Sequence, residues 1–122
     1  YQQLKIIKDY FSINKIKIKI IKCKTIRDKN GLALSSRNKL LNFKNITKAS
    51  KLINYIKKVK NKKNSASSVT RLIKKYLKQN QIKFDYVKCI NLKSFENSKK
   101  NSLKFRIFIA FYLNKVRLID NV

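Results

Sequence analysis

The chain of 122 residues has no histidine, proline, methionine or tryptophan, and its single glycine is Gly31. Without histidine, no Ser-His or Cys-His nucleophile can be assembled. The usual nitrogen ligand of a mixed zinc site is missing as well. Cys23 and Cys89 lie far apart and outside any C-x-x-C pair. Two buried, reduced thiols are the expectation for such isolated cysteines, with a disulfide left open by sequence alone. The five acids, Asp9, Asp28, Asp85, Glu96 and Asp120, are scattered, and no pair has a spacing suited to acid–base work. No apolar run approaches the roughly 20 residues of a membrane helix, and no secretory pattern opens the chain. Tyrosine rather than methionine comes first, so the chain is expected to be a piece of a longer one. It carries at most half of an active site.

What is abundant is positive charge, with 32 Lys and Arg and a net charge of +27. Such a balance fits a binder of nucleic acid or another anionic surface. It also fits plain compositional bias, because AT-rich codons favour lysine, isoleucine and asparagine over glycine and proline. The lysines are spread over nearly every segment, and only Arg27, Arg37, Arg71, Arg106 and Arg117 carry the guanidinium that reads phosphates and bases well. Nucleic acid is therefore expected to bind only nonspecifically and in a salt-sensitive way. Hydrophobic residues make up 43% of the chain, with seven Phe and six Tyr, enough for a real core.

The glycine sits in the most informative stretch, Asp28-Lys29-Asn30-Gly31-Leu32-Ala33-Leu34-Ser35-Ser36-Arg37-Asn38. Glycine permits positive φ or a close approach of backbone to ligand. The serine pair just before Leu40 and Leu41 reads as a helix start with a serine cap. Uncapped N–H groups there would form an anion site, and Arg37 would add a fork of donors that fits phosphate. A tight turn followed by an ordinary serine cap is the plainer reading of the same residues.

Along the chain, Gln2 to Phe11 reads as a helix with Leu4, Ile7, Tyr10 and Phe11 on its core face. Gln3 lies off that stripe. Lys15 to Cys23 alternates isoleucine with lysine, the period of a strand. A helix followed by a strand fits the end of a parallel α/β domain. Ile26 is read as core. Ile46 to Lys60 reads as a helix with Ala49, Ile53, Ile56 and Val59 inward. Ser67 or Ser68 is expected to cap the next helix, which carries Val69, Leu72, Ile73, Tyr76 and Leu77. Ile82 to Ile90 and Phe105 to Leu113 read as strands, the latter apolar enough to be central. Asn114-Lys115 is a two-residue turn, and Val116 to Val122 returns beside it. The ending is thus an antiparallel hairpin with a third strand alongside.

Three stretches carry a family resemblance. Arg27 to Asn38, R-D-K-N-G-L-A-L-S-S-R-N, resembles the signature loop of the pantothenate synthetases (pantoate–β-alanine ligases). Tyr1-Gln2-Gln3-Leu4 resembles the end of that family's Gly-Glu-Lys-Asp-Tyr-Gln-Gln-Leu motif, and Arg117-Leu118-Ile119-Asp120-Asn121 resembles its closing strand. Their order spans Tyr1 to Asn121, while residues 42 to 104 share only the order of elements. Lys24 stands where the family usually has proline, and Asn114 where it usually has glycine.

The resemblance implies an α+β fold. Residues 1–25 would be the last helix and strand of a Rossmann-like nucleotidylyl-transferase domain. Residues 26–122 would be a C-terminal lid domain, a three-stranded antiparallel sheet packed by helices. It implies an ATP-dependent, cytoplasmic ligase that joins pantoate to β-alanine through a pantoyl adenylate, with Mg2+ and release of AMP and pyrophosphate. Gln3 would bind pantoate; Ile26, Leu34, Ser35, Ser36 and Arg37 would bind ATP, with Arg37 also catalytic. A homodimer would form through the missing N-terminal domain, and the piece alone would be inactive. A different class, a small basic RNA- or DNA-binding α+β module, would use rings of Phe105 to Leu113 to stack bases. A non-catalytic remnant of the enzyme would keep the fold without the activity.

Overall fold

Strand β2 (Arg106–Leu113) is apolar on both faces, so it must be covered on both. A computed structural model describes residues 2–62, 64–94, 96–99 and 101–122, and places β2 in the middle of an antiparallel sheet. β1 (Phe84–Ile90) pairs on one side and β3 (Val116–Asn121) on the other. Ile107, Ile109 and Phe111 are fully or almost fully buried, as is Ala110 of the opposite set. Leu113 pairs with Val116 across the expected two-residue turn, and Asn114 takes the positive φ of 54° that asparagine tolerates. A bulge between Phe84 and Tyr86 interrupts the β1 register. There the Asp85 carboxylate accepts from Arg117 Nε at 2.7 Å and from the Tyr112 hydroxyl at 3.2 Å.

Two helices form the second layer. α2 (Phe43–Asn61) buries Leu52, Ile53 and Ile56, and α3 (Ala66–Gln79) buries Val69, Ile73 and Leu77. These spacings of three and four give each helix one apolar stripe. α3 lies against β1, and α2 against α3, where Tyr55 and Tyr76 stack at 4.3 Å. Asn42 caps α2 by accepting from Asn45 N–H at 2.9 Å. α3 starts earlier than the serine run implied. Its cap is Ser65, whose Oγ accepts from Ser68 N–H at 3.4 Å, because the extended backbone at Ser65 leaves Ser67 and Ser68 inside the first turn.

The first part of the chain departs more from expectation. α1 (Gln2–Ile13) forms, but of its expected stripe Ile7 and Tyr10 are exposed and Leu4 and Phe11 only half-buried, and among the described residues none of the four joins the buried core. Lys15, at φ 53°, ends the helix in a left-handed turn in which Ile16 N–H donates to Phe11 O at 2.9 Å. Residues 15 to 23 alternate as a strand would, yet form none. A strand is stable only when its N–H and C=O groups pair with a neighbour, and the three strands of this sheet are paired with one another elsewhere. Cys89 is buried and unpaired as expected, whereas Cys23 is exposed, since it lies in that uncovered segment. Among the described residues no helix is long and apolar enough to cross a membrane.

Candidate functional site

The loop built around Gly31 is a small closed turn. Asp28 N–H donates to Leu32 O at 2.9 Å, and the Asp28 carboxylate accepts from Asn30 and Leu32 N–H at 2.8 and 2.9 Å. This is how aspartate fixes a turn, by accepting from the backbone just after it. Gly31 has φ +86°, a left-handed value that disfavours any side chain. It also lies against α2, where an added Cβ would meet Asn54 Oδ1 and Lys57 Nζ at 2.9 Å. Asn54 Nδ2 donates to Asn30 O at 3.1 Å, fastening the turn to that helix.

From the turn the chain returns antiparallel to its entry. Arg27 pairs with Ala33, and Leu34 N–H donates to Ile26 O at 3.0 Å. Ser35 then caps a short 3₁₀ helix, Ser36–Leu40, its Oγ accepting from Arg37 N–H at 3.2 Å. Asn38 Nδ2 donates to Ala33 O at 2.9 Å and draws the loop closed. The serine pair is thus a helix start, as expected. The helix has five residues, too short for a sizeable dipole, so what the loop offers an anion is side chains rather than a helix terminus. Leu34, Ser35, Ser36 and Arg37 are all exposed. Among the described residues the Arg37 guanidinium has no hydrogen-bond or ion-pair partner.

The sequence pattern did not single out what holds this loop on the sheet. Arg27 Nη1 donates to Asp120 Oδ2 at 2.7 Å and to Gly31 O at 3.1 Å, while Nη2 donates to Asp120 Oδ1 at 2.9 Å. Asn121 N–H adds a donor to Asp120 Oδ1 at 2.7 Å. The planar fork of arginine suits a carboxylate in this way. The Asp120 hydrogen bond raises the Arg27 pKa above its ordinary value, and outweighs the partial burial that lowers it. One signal was available. Val116, Leu118 and Asp120 alternate along β3, which puts an acid in the inward-facing set, and a buried carboxylate requires a partner.

Two adjoining cavities flank this pair. The first, about 220 Å³, is lined by Leu34, Ser35, Arg37 and Asn38 of the loop and by Ile119 and Asp120 of β3. The second, about 280 Å³, is lined by Gln3, Thr25, Tyr86 and Phe108. Both are bounded by Ala33, Ile119 and Asp120. The structure therefore brings Gln3, exposed on α1, to the same wall of the sheet as Ser35 and Arg37. Ser36 lines neither cavity. Ile26 is 71% exposed rather than core, and its carbonyl accepts from Leu34 N–H in the loop. Tyr1, the first residue of its motif match, lies outside the described residues. The rings of Phe105, Phe108 and Phe111 are buried, so they offer no stacking platform for bases.

Comparison with known proteins bears on the family and the fold. The sequence model of the pantoate-beta-alanine ligase family matches residues 1–122. The pantothenate synthetase of Flavobacterium psychrophilum is 34% identical over 127 residues, covering 100% of this chain and 45% of that protein. The pantothenate synthetase of Buchnera aphidicola is 39% identical over 126 residues, covering 99% of this chain and 44% of that protein. The crystal structure of pantothenate synthetase from Thermus thermophilus superposes with a TM-score of 0.84 at 25% identity, over 100% of this chain and 46% of that one. A pantoate-beta-alanine ligase from Francisella tularensis, complexed with beta-gamma ATP and beta-alanine, gives a TM-score of 0.70 at 33% identity, over 100% of this chain and 40% of that one. The chain spans about half the length of the curated relatives it matches. With its fold, its signature loop and its full-length family match in agreement, the chain belongs to the pantoate-beta-alanine ligase family.

Proposed function

We propose that this chain is the C-terminal portion of an ATP-dependent ligase that condenses pantoate with β-alanine. In the first step a pantoate carboxylate oxygen attacks the α-phosphate of ATP and pyrophosphate leaves. In the second the β-alanine amine attacks the acyl carbon, and AMP leaves with the bond electrons. A carboxylate is a poor acyl donor until its oxygen becomes a good leaving group, and charge develops on the phosphates as that happens. Preorganised donors are the expected stabilisers. Arg37 supplies them at the transition state, and Ser35 and Ser36 contact the triphosphate beside Leu34. Gln3 hydrogen-bonds pantoate, and Ile26 borders the nucleotide. The supporting observation is the shared wall of the two cavities, at Ala33, Ile119 and Asp120. It would set an acyl donor held by Gln3 next to phosphates held by the loop. The complex of the Francisella relative with a nucleotide and beta-alanine supports the same substrates.

Residues 26–122 act as a lid that closes over the adenylate and excludes water, and residues 1–25 end the nucleotide-binding domain. The exposed Ile6, Tyr10, Ile13, Ile18 and Ile21 are the apolar surface that domain would cover. Magnesium enters with ATP. Among the described residues no cluster of three or more His, Cys, Asp or Glu could hold it, and the one carboxylate at the cavities is bound to Arg27. The enzyme works in the cytoplasm as a homodimer formed by the other domain, and nucleic acid binds it only nonspecifically. This chain alone is inactive. The test is AMP release from ATP by the complete enzyme, dependent on both pantoate and β-alanine. Folded, ATP-binding protein that releases no AMP would identify a degenerate enzyme, and absence of ATP binding as well would refute the ligase reading.

A further inference from the structure

A larger hollow lies on the opposite edge of the sheet from the signature loop, between α3 and β1. Its volume is about 770 Å³, in the range of small-molecule sites, roughly 300–1,000 Å³. Arg71, Lys74, Lys75 and Lys78 line it from α3, and Lys88 from β1. The α3 residues follow one another at helical spacing, so a single face of the helix presents four cations. Among the described residues no acidic side chain lines the hollow. Its floor is different in kind. Val87 and Cys89 are buried, and Thr70 Oγ1 lies 3.4 Å from Cys89 Sγ. Burial raises the Cys89 pKa, so the floor is neutral and weakly polar at neutral pH.

The far lip is Asn97 and Ser98, held to the sheet edge by Ser98 N–H donating to Cys89 O at 2.8 Å. Ser98 Oγ is buried, and among the described residues it has no hydrogen-bond partner. An unsatisfied buried hydroxyl is costly, and the residue that carries it lines the hollow. Cationic rim, apolar floor and one waiting hydroxyl specify a ligand rather than a general attraction for anions. The proposed synthetase chemistry uses none of these residues.

We propose that this hollow binds a small amphipathic anion. Its phosphate, sulfonate or carboxylate lies against Lys74, Lys75 and Lys78, its apolar body rests on Val87 and Cys89, and a polar atom bonds Ser98 Oγ. Such a site stands apart from the signature loop across the whole sheet, and suits a ligand that modulates the protein rather than one that reacts.

The overall charge of +27 attracts any anion, so the test must separate a site from a field. The probe is 8-anilinonaphthalene-1-sulfonate, titrated into the isotope-labelled chain at 150 mM salt, with inorganic pyrophosphate as the purely ionic comparison. Amide shifts of the unaltered chain report location. The expected result is saturable binding with shifts concentrated at residues 70–78, 87–89 and 97–98. Two triple variants then remove equal charge. K74Q/K75Q/K78Q should weaken binding by about tenfold or more, the loss of roughly two ion-pair contacts. K44Q/K51Q/K58Q, on the exposed face of α2, should change it by less than about twofold. Equal loss in both variants, shifts scattered over lysines everywhere, or pyrophosphate binding as tightly as the dye would each overturn the proposal. So would tighter occupancy of the same residues by a single-stranded oligonucleotide, which would make the groove a nucleic-acid surface. The shift map does not depend on any variant folding.

Discussion

Arg27 and Asp120 lie 93 positions apart in sequence and meet through two hydrogen bonds of 2.7 and 2.9 Å. The Asp120 side chain is only 4% exposed, that of Arg27 20%. The pair joins the start of the signature loop to the last strand, and the same guanidinium reaches Gly31 O, so one side chain sets the height of the loop above the sheet. Removing one partner of a buried pair strands the other's charge, at a cost of about 3 kcal/mol or more. Arg27→Met is expected to cost about that much in urea denaturation. Asp120→Asn, which leaves the more exposed partner behind, should cost less, and the double variant less than the sum. Additive losses would show that the two side chains are not coupled. Arg27→Lys should rescue only part, because an ammonium cannot span both carboxylate oxygens.

Gly31 gives a second, independent handle on the loop. Alanine there takes on a left-handed backbone, costing about 1–2 kcal/mol, and crowds Asn54 and Lys57 at 2.9 Å. Lysine can swing away, whereas Asn54 is tied to Asn30 O. Gly31→Ala should therefore lower stability by more than the backbone part, about 2–3 kcal/mol in all. In a Gly31→Ala/Asn54→Ala background the penalty should shrink to its backbone part, measured by the same denaturation curves. A penalty unchanged by the second substitution would assign all of it to φ.

How far the sequence could carry these readings depends on whether a pattern has a partner within the chain. The β2–β3 hairpin was legible because Asn114-Lys115 and the apolar run before it are local signals. α2 and α3 were legible because their stripes meet each other and the sheet. Residues 15–23 carry as clear an alternation, but alternation describes a face, and pairing needs a neighbour. The same absence exposes Cys23 and part of the stripe of α1. In the loop, glycine and serine announced the turn and the cap by type. Arg27 and Asp120 did not, because a long-range ion pair leaves no spacing to recognise. The shared wall of the two cavities is likewise a product of folding.

The two thiols should behave differently. Cys23 is exposed and Cys89 is 6% exposed. A disulfide-exchange reagent should label one thiol per folded chain quickly and the second only on unfolding. Burial also raises the Cys89 pKa from its ordinary 9.0, so above that pH the folded chain keeps a proton the unfolded chain has lost. That contribution is fully present below pH 9.0 and is lost as pH rises toward the folded value. Between pH 8 and 10 the urea midpoint should thus fall further for the parent chain than for Cys89→Ala. Parallel slopes would mean that the thiol titrates alike in both states.

Arg37 provides the contrast that separates positioning from chemistry. Its guanidinium is exposed and has no bonded partner among the described residues, so folding draws little from it. Arg37→Ala should shift stability by no more than about 0.5 kcal/mol, as for surface substitutions in general. In the complete enzyme the same change should cut AMP release by about a hundredfold or more, the usual loss for one preorganised donor at a developing charge. Arg27→Met should lower both stability and activity, the activity through a loop no longer held at the sheet. If Arg37→Ala unfolds the chain as readily as Arg27→Met, its role is structural, and Ser35 and Ser36 become the loop's candidates for the proposed phosphate contact. If Arg37→Ala leaves both quantities unchanged, the charge that meets the triphosphate comes from outside this loop.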